Sequence, residues 1–84
     1  MNRYMLAFTW QSAPNVFKAG AEQKQVTKLI GDRKMEQMFL ASDRSRGWLI
    51  MLAESETAAL ASAKTLPFYP SMMIETTPLV ETYP

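Results

Sequence analysis

The stretch Lys34–Ala53, "KMEQMFLASDRSRGWLIMLA", decides the fold of this chain. Lys34–Ser42 and Gly47–Ala53 are apolar, β-prone runs. Between them lies "DRSRG", Asp43 to Gly47, made of residues that favour tight turns. The pattern predicts two antiparallel strands joined as a short hairpin.

Working outward, the hairpin is flanked on each side by a helix and then a strand. On the N-terminal side, Asn15–Ile30 reads as a helix with Val16, Ala19, Gln23, Val26 and Ile30 on its inner face. Lys18, Glu22, Gln25 and Lys28 fall mostly on the other side. Ser12 or Ala13 precedes this helix, Pro14 suits its first turn, and Gly31 is placed to end it in a left-handed conformation. Before it, "RYMLAFTW" (Arg3–Trp10) lacks breakers and reads as a buried strand.

On the C-terminal side, Ser55 is a suitable N-cap and Glu56 complements the helix dipole. The second helix is expected to run to about Leu66, with Ala59, Leu60, Ala63 and Leu66 facing inward and Pro67 stopping it. "SMMIETTPLVE" (Ser71–Glu81) is the last strand, and Pro78 makes its far end an edge or a bulge. The order β-α-β-β-α-β predicts an α+β, ferredoxin-like βαββαβ sandwich. Right-handed crossovers then place two helices on one face of a four-stranded antiparallel sheet. Residues 1–84 are expected to form a single ferredoxin-like domain.

The second sheet face raises a question of assembly. In the first strand Tyr4, Leu6 and Phe8 alternate with Met5, Ala7 and Thr9; in the last, Met72, Ile74 and Thr76 alternate with Met73, Glu75 and Thr77. The hairpin strands are apolar on both sides, with Met38 and Leu40 against Phe39 and Ala41, and Trp48, Ile50 and Leu52 against Leu49, Met51 and Ala53. Two short helices cover one face only, so the other would bare a large apolar patch. A second copy packed sheet to sheet is the simplest cover; the alternative is a wet face carried by its polar members. Whether dimers assemble further is left open.

Composition narrows the function classes. The chain has no cysteine and no histidine, which removes disulfides, thiolate sites and the usual neutral-pH proton carrier. Nine basic and eight acidic residues are mixed along it, giving no reason to invoke nucleic acid or a membrane surface. The apolar run Tyr4–Trp10 is too short for a membrane span or a signal segment, so a cytoplasmic protein is the expectation. A cofactor or metal is not expected, since no Gly-rich phosphate loop, nucleophile elbow or ligand cluster occurs. Arg44 and Arg46 read as a solvated hairpin tip.

"LPFYPSMMIETTPL" (Leu66–Leu79) resembles the C-terminal signature of the muconolactone isomerase-like group, where Leu-Pro-aromatic-Pro leads into a Met-x-Ile-Glu-x strand. "DRSRGW", Asp43–Trp48, is similar to a charged hairpin carried by small bacterial relatives of that group. The resemblance implies a dimeric α/β barrel in which two ferredoxin-like units pack their open faces together. It also implies ligand pockets between sheet and loops near the dimer interface, and it brings in a cofactor-free isomerase that moves a proton on a small lactone. Glu75 matches the family's strand carboxylate, whereas Met73, Met5 and Ala7 stand where the isomerase pattern is acidic, polar or basic.

The candidate site follows. Glu75 among methionines is a candidate general base, because desolvation raises a carboxylate's pKa toward neutrality; the alternative is an ion pair at an interface. Thr9 and Thr77, with Thr76, are candidates to orient a ligand; Trp48 and Tyr69, with Trp10, Phe68 and Met73, are candidates to line an apolar pocket. All of these residue types also serve ordinary strand and core packing. Gln23 either reaches a pocket or sits at its margin. The expected function is a homodimeric module that binds a small apolar molecule or supports an assembly. The alternative is a cofactor-independent isomerase acting on a small lactone or carbonyl compound.

Overall fold

The computed structural model describes residues 1–80. Strand β1 (Asn2–Trp10) is followed by a 3-10 turn (Val16–Lys18) and helix α1 (Ala19–Gly31). Strands β2 (Met35–Leu40) and β3 (Arg46–Ala53) form the hairpin. Helix α2 (Glu56–Ala63), a 3-10 turn (Tyr69–Ser71) and strand β4 (Met72–Leu79) complete the order. The sheet runs β2-β3-β1-β4 with every pairing antiparallel, so the ferredoxin-like α+β fold is as expected. Among the described residues no helix is long and apolar enough to cross a membrane.

Alternation in β1 and β4 sorts the residues as the sequence indicated. Tyr4, Leu6 and Phe8 are buried beneath the helices, and Met72 lies with them. In the hairpin, whose strands are apolar on both sides, Leu49, Met51 and Ala53 face the helices with Met35 and Met38, while Trp48, Ile50 and Leu52 face away. A register shift between Met35 and Gln37 sets two residues of β2 against one of β3. Ala59 and Ala63 are fully buried, and such small side chains let α2 lie close on the sheet. Ser55 caps α2, its Oγ accepting from the Ala58 N–H at 3.1 Å. Regular helix stops at Ala63 and tighter turns carry the chain to the buried Leu66.

Helix α1 departs from its sequence reading in three ways. It begins later, because Asn15 takes the capping role: its Oδ1 accepts from the Phe17 N–H at 3.0 Å. Its buried residues are Glu22 and Leu29, with Gln25 and Val26 half-buried, while Val16, Gln23 and Ile30 are exposed. The inner face is set by what the neighbouring layer offers, and a backbone N–H there holds Glu22 inward. Finally, Gly31 stays helical, and the left-handed residue is Arg33, with φ 58°. The Lys34 N–H donates to Leu29 O at 2.9 Å and the Arg33 N–H to Ile30 O at 3.1 Å, which closes the helix in a Schellman motif.

The hairpin loop also shifts. Its left-handed position is Arg44, with φ 63°, and Asp43 Oδ1 accepts from both the Ser45 N–H and the Ser45 hydroxyl. Those two bonds, backbone first, hold the Asp43 carboxyl below the usual range. Gly47, expected both to close the loop and to open the strand, lies within β3. A Cβ there would lie 2.5 Å from two ring carbons of Phe8 and 2.7 Å from the Phe39 carbonyl oxygen. Close approach of a ring, and not turn geometry, is what requires glycine at this place.

Candidate functional site

The face of the sheet turned away from the helices carries the candidate residues in a regular array. Backbone pairing aligns Arg46, Thr9 and Met73 in one row and Phe39, Trp48, Ala7 and Glu75 in the next. Gln37, Ile50, Met5 and Thr77 follow, then Leu52, Arg3 and Leu79. Residues in a row are neighbours about 5 Å apart. At the edge of the last row Arg3 Nε donates to Glu36 Oε2 at 2.8 Å.

Ala7 makes this face concave. It stands between the bulky Trp48 and Glu75 and presents only a methyl group, so a groove opens above β1. Ala7, Thr9, Arg46, Trp48, Met73 and Glu75 line it, together with parts of Phe8, Gly47 and Ile74, around about 410 Å³. Thr9, Trp48, Met73 and Glu75 are therefore brought together as the sequence suggested. Thr77 shares the face but lies one row beyond the groove. Tyr69 does not belong here: it sits in the 3-10 turn before β4 and packs half-buried against the helix-side core. The turn after Pro67 carries it over the opposite layer.

Glu75 is exposed and, among the described residues, makes no ion pair within the chain. Chemically the groove offers one carboxylate, one guanidinium, one hydroxyl and an indole wall. Arg46 was the member that sequence reading left outside the site. Its signal was the period of two shared with Trp48 and Ile50.

A second cavity, of about 230 Å³, lies on the helix side at the end of the sheet. Trp10, Val26, Met38, Leu40 and Phe68 form its apolar walls, with Glu22 and Gln23 contributed by α1. Trp10 and Phe68 meet edge to face at 6.0 Å, and the Trp10 Nε1–H donates to Arg44 O at 2.9 Å. Glu22 is only 5% exposed. Its Oε1 accepts from the Phe68 N–H at 2.8 Å, while its Oε2 is buried without a partner. Burial pushes its pKa up, and the Phe68 bond offsets part of that rise. Sequence reading placed Glu22 outside, yet the spacing of Glu22, Val26 and Leu29 gives it to the buried stripe. Gln23 stands exposed at the rim.

No family model matches this chain, and no curated protein matches it. The functional reading therefore stands on the array and the two cavities alone.

Proposed function

We propose that this chain is a homodimeric module whose two copies pack open face to open face, in the manner of the dimeric α/β barrels of the muconolactone isomerase-like group, and enclose a small-molecule groove between them. The observation that carries the reading is the apolar content of the uncovered face. Phe39 is 48% exposed and Met73 60% exposed, and Trp48, Met5 and Leu52 lie between them half-buried. Ile50 is buried already, so the middle of the face is dry at its floor.

Area supports the same reading. Four strands at ~4.8 Å spacing and about eight residues of ~3.3 Å rise give a footprint of roughly 500 Å² per copy. A facing pair then buries on the order of 1,000 Å², the lower bound for a specific interface. Arg46 and Glu75 at opposite sides of the groove supply charges that fix the register of the two copies.

Light scattering at micromolar concentration tests the assembly, with an expected mass at least twice the 9.5 kDa of the chain. Trp48→Glu puts a charge at the centre of the face and is expected to give a folded monomer. A wild-type monomer, or a Trp48→Glu variant that still dimerises, overturns the proposal.

A second reading rests on one observation, the placing of Glu75 in a groove with Arg46 and Thr9 as donors across it. That arrangement suits cofactor-independent proton transfer on a small lactone or carbonyl compound, with Glu75 as base and Arg46 stabilising the developing oxyanion. Its test is turnover of such a substrate: Glu75→Gln is expected to abolish it, and unchanged turnover rejects the role.

A further inference from the structure

The sheet ends on one side in β2. The Ala41 N–H donates to Arg46 O at 3.0 Å, so by antiparallel alternation Phe39 and Gln37 exchange backbone bonds with Trp48 and Ile50. The backbone groups of Met38 and Leu40 therefore point away from the sheet, open to a further strand. The other edge is blunted. There the Gln11 N–H donates to Ser71 O, the same alternation turns Pro78 of β4 outward, and proline offers no donor. No proline guards β2. Beside its edge an open groove of about 520 Å³ runs between α1 and β2, lined by Val26, Ile30, Met38 and Leu40 together with Glu36 and Gln37. Ile30 is 43% and Leu40 50% exposed.

Charge decides what can lie there. Arg33 and Lys34 precede β2 and Arg44 follows it. Arg33 and Arg44 both hold left-handed backbone, where glycine or asparagine is usual. None of these three cations is in an ion pair among the described residues. The acids of the same region are engaged: Asp32 with Lys28, Glu36 with Arg3, and Asp43 with Ser45. Antiparallel pairing of β2 about its middle with a second copy would set Arg33 and Lys34 against the partner's Arg44. Like charges facing each other disfavour that pairing, whereas an acidic segment is drawn to the same two ends.

We propose that β2 takes up an extended segment of another protein as an added strand, with alternate apolar side chains in the groove between α1 and β2 and acidic residues at its two ends against Arg33, Lys34 and Arg44. Backbone bonds from Met38 and Leu40 supply the pairing, and the groove selects the side chains. Strand rise of ~3.3 Å per residue sets the two cationic ends about 20 Å apart, which a segment of about seven residues spans. Acidic residues at both ends suit either direction of that segment. The site lies at the edge of the sheet and rests on neither reading of the open face.

The probe is a blocked synthetic peptide of alternating valine and threonine with a glutamate at each end. It is titrated into the full chain at low salt and followed by nitrogen–proton correlation spectra. The Met38 and Leu40 amides are expected to shift saturably and to exchange more slowly with solvent. A lysine-ended peptide should bind about tenfold more weakly. Arg33→Asn combined with Arg44→Asn suits the left-handed places and should weaken the acidic peptide about fivefold. Leu40→Pro removes an outward donor that β3 does not use, and should abolish binding. If that variant does not fold, N-methylation of the peptide decides. Strand pairing uses alternate amides, so methylating one alternate set should abolish binding and methylating the other should spare it. No saturable shift at millimolar peptide overturns the proposal, as do equal affinities for the glutamate- and lysine-ended peptides or equal effects of the two methylated sets. Met38 and Leu40 shifts that follow the concentration of the chain alone would mean that β2 pairs with a second copy, and they overturn it too.

Discussion

Gly47→Ala is a single added methyl group, and the structure says where it goes. The new carbon would lie 2.5 Å from two ring carbons of Phe8 and 2.7 Å from a backbone oxygen of Phe39. Ordinary carbon–carbon contacts lie at about 3.5–4.0 Å, so the overlap is roughly 1 Å. Phe8 cannot simply retreat. It is 2% exposed, its ring meets Trp10 at 5.1 Å, and its backbone is paired with Gly47 itself. Relief requires an off-rotamer ring or a local parting of β1 from β3, at a cost of about 1–3 kcal/mol. Alanine recovers about 0.5–1 kcal/mol over glycine in backbone entropy. The net expectation is a loss of about 1 kcal/mol.

For 84 residues the whole stability is on the order of 4–12 kcal/mol, so this loss is a substantial part of it. The midpoint of thermal unfolding should fall by about 4–8 °C. Urea unfolding followed by circular dichroism, at one fixed protein concentration, measures the difference directly. Gly20→Ala is the control of opposite sign: nothing lies within 4 Å of its added carbon, and in α1 it should stabilise by up to about 1 kcal/mol. Phe8→Leu combined with Gly47→Ala should cost less than the sum of the two single changes. A Gly47→Ala variant within about 0.5 kcal/mol of wild type would refute the seating of the Phe8 ring against this strand.

Other outcomes are open to measurement. Glu22 has a raised pKa in the folded chain, so its folded form holds a proton that the unfolded chain has lost across a window starting at the ordinary glutamate range. Its contribution is fully present below that window and is lost as pH rises through the folded pKa. Wild-type stability relative to Glu22→Gln should therefore fall with rising pH in that window, and a flat difference contradicts the buried placing. Asp32 and Asp43, both lowered, act with the opposite sign and at lower pH. Ser55→Ala removes the cap on α2 and should destabilise by about 1 kcal/mol in urea unfolding. Leu49→Ala, at a fully buried place on β3, should cost about 3 kcal/mol by the same assay, whereas a cost under 1 kcal/mol would place Leu49 at a loose edge.

Local patterning in the sequence determined the order of elements, the faces of β1 and β4, the cap of α2 and the apolar character of the open sheet face. Each of these depends on neighbours two to four residues apart, within reach of rotamer, capping and period rules. The sequence also set Thr9 on one face of β1 and Met73 and Glu75 on one face of β4, because the period of a strand is rigid; Trp48 joined them only once the hairpin had packed. It did not show that Tyr69 lies apart from that groove, since its position depends on how the chain turns after Pro67, and it reversed Glu22. The inward place of Glu22 depends on a backbone N–H at Phe68, 46 residues away, and no local rule sees that donor. Gly47 is similar: a turn residue by composition, it proved to be a seat for the ring of Phe8 across the sheet. Tertiary structure alone decided which hairpin residues face the helices, which residue took the left-handed place after α1, and where the two cavities open. In each case the deciding contact joins elements far apart in the chain, and its energy exists only once the layers have packed.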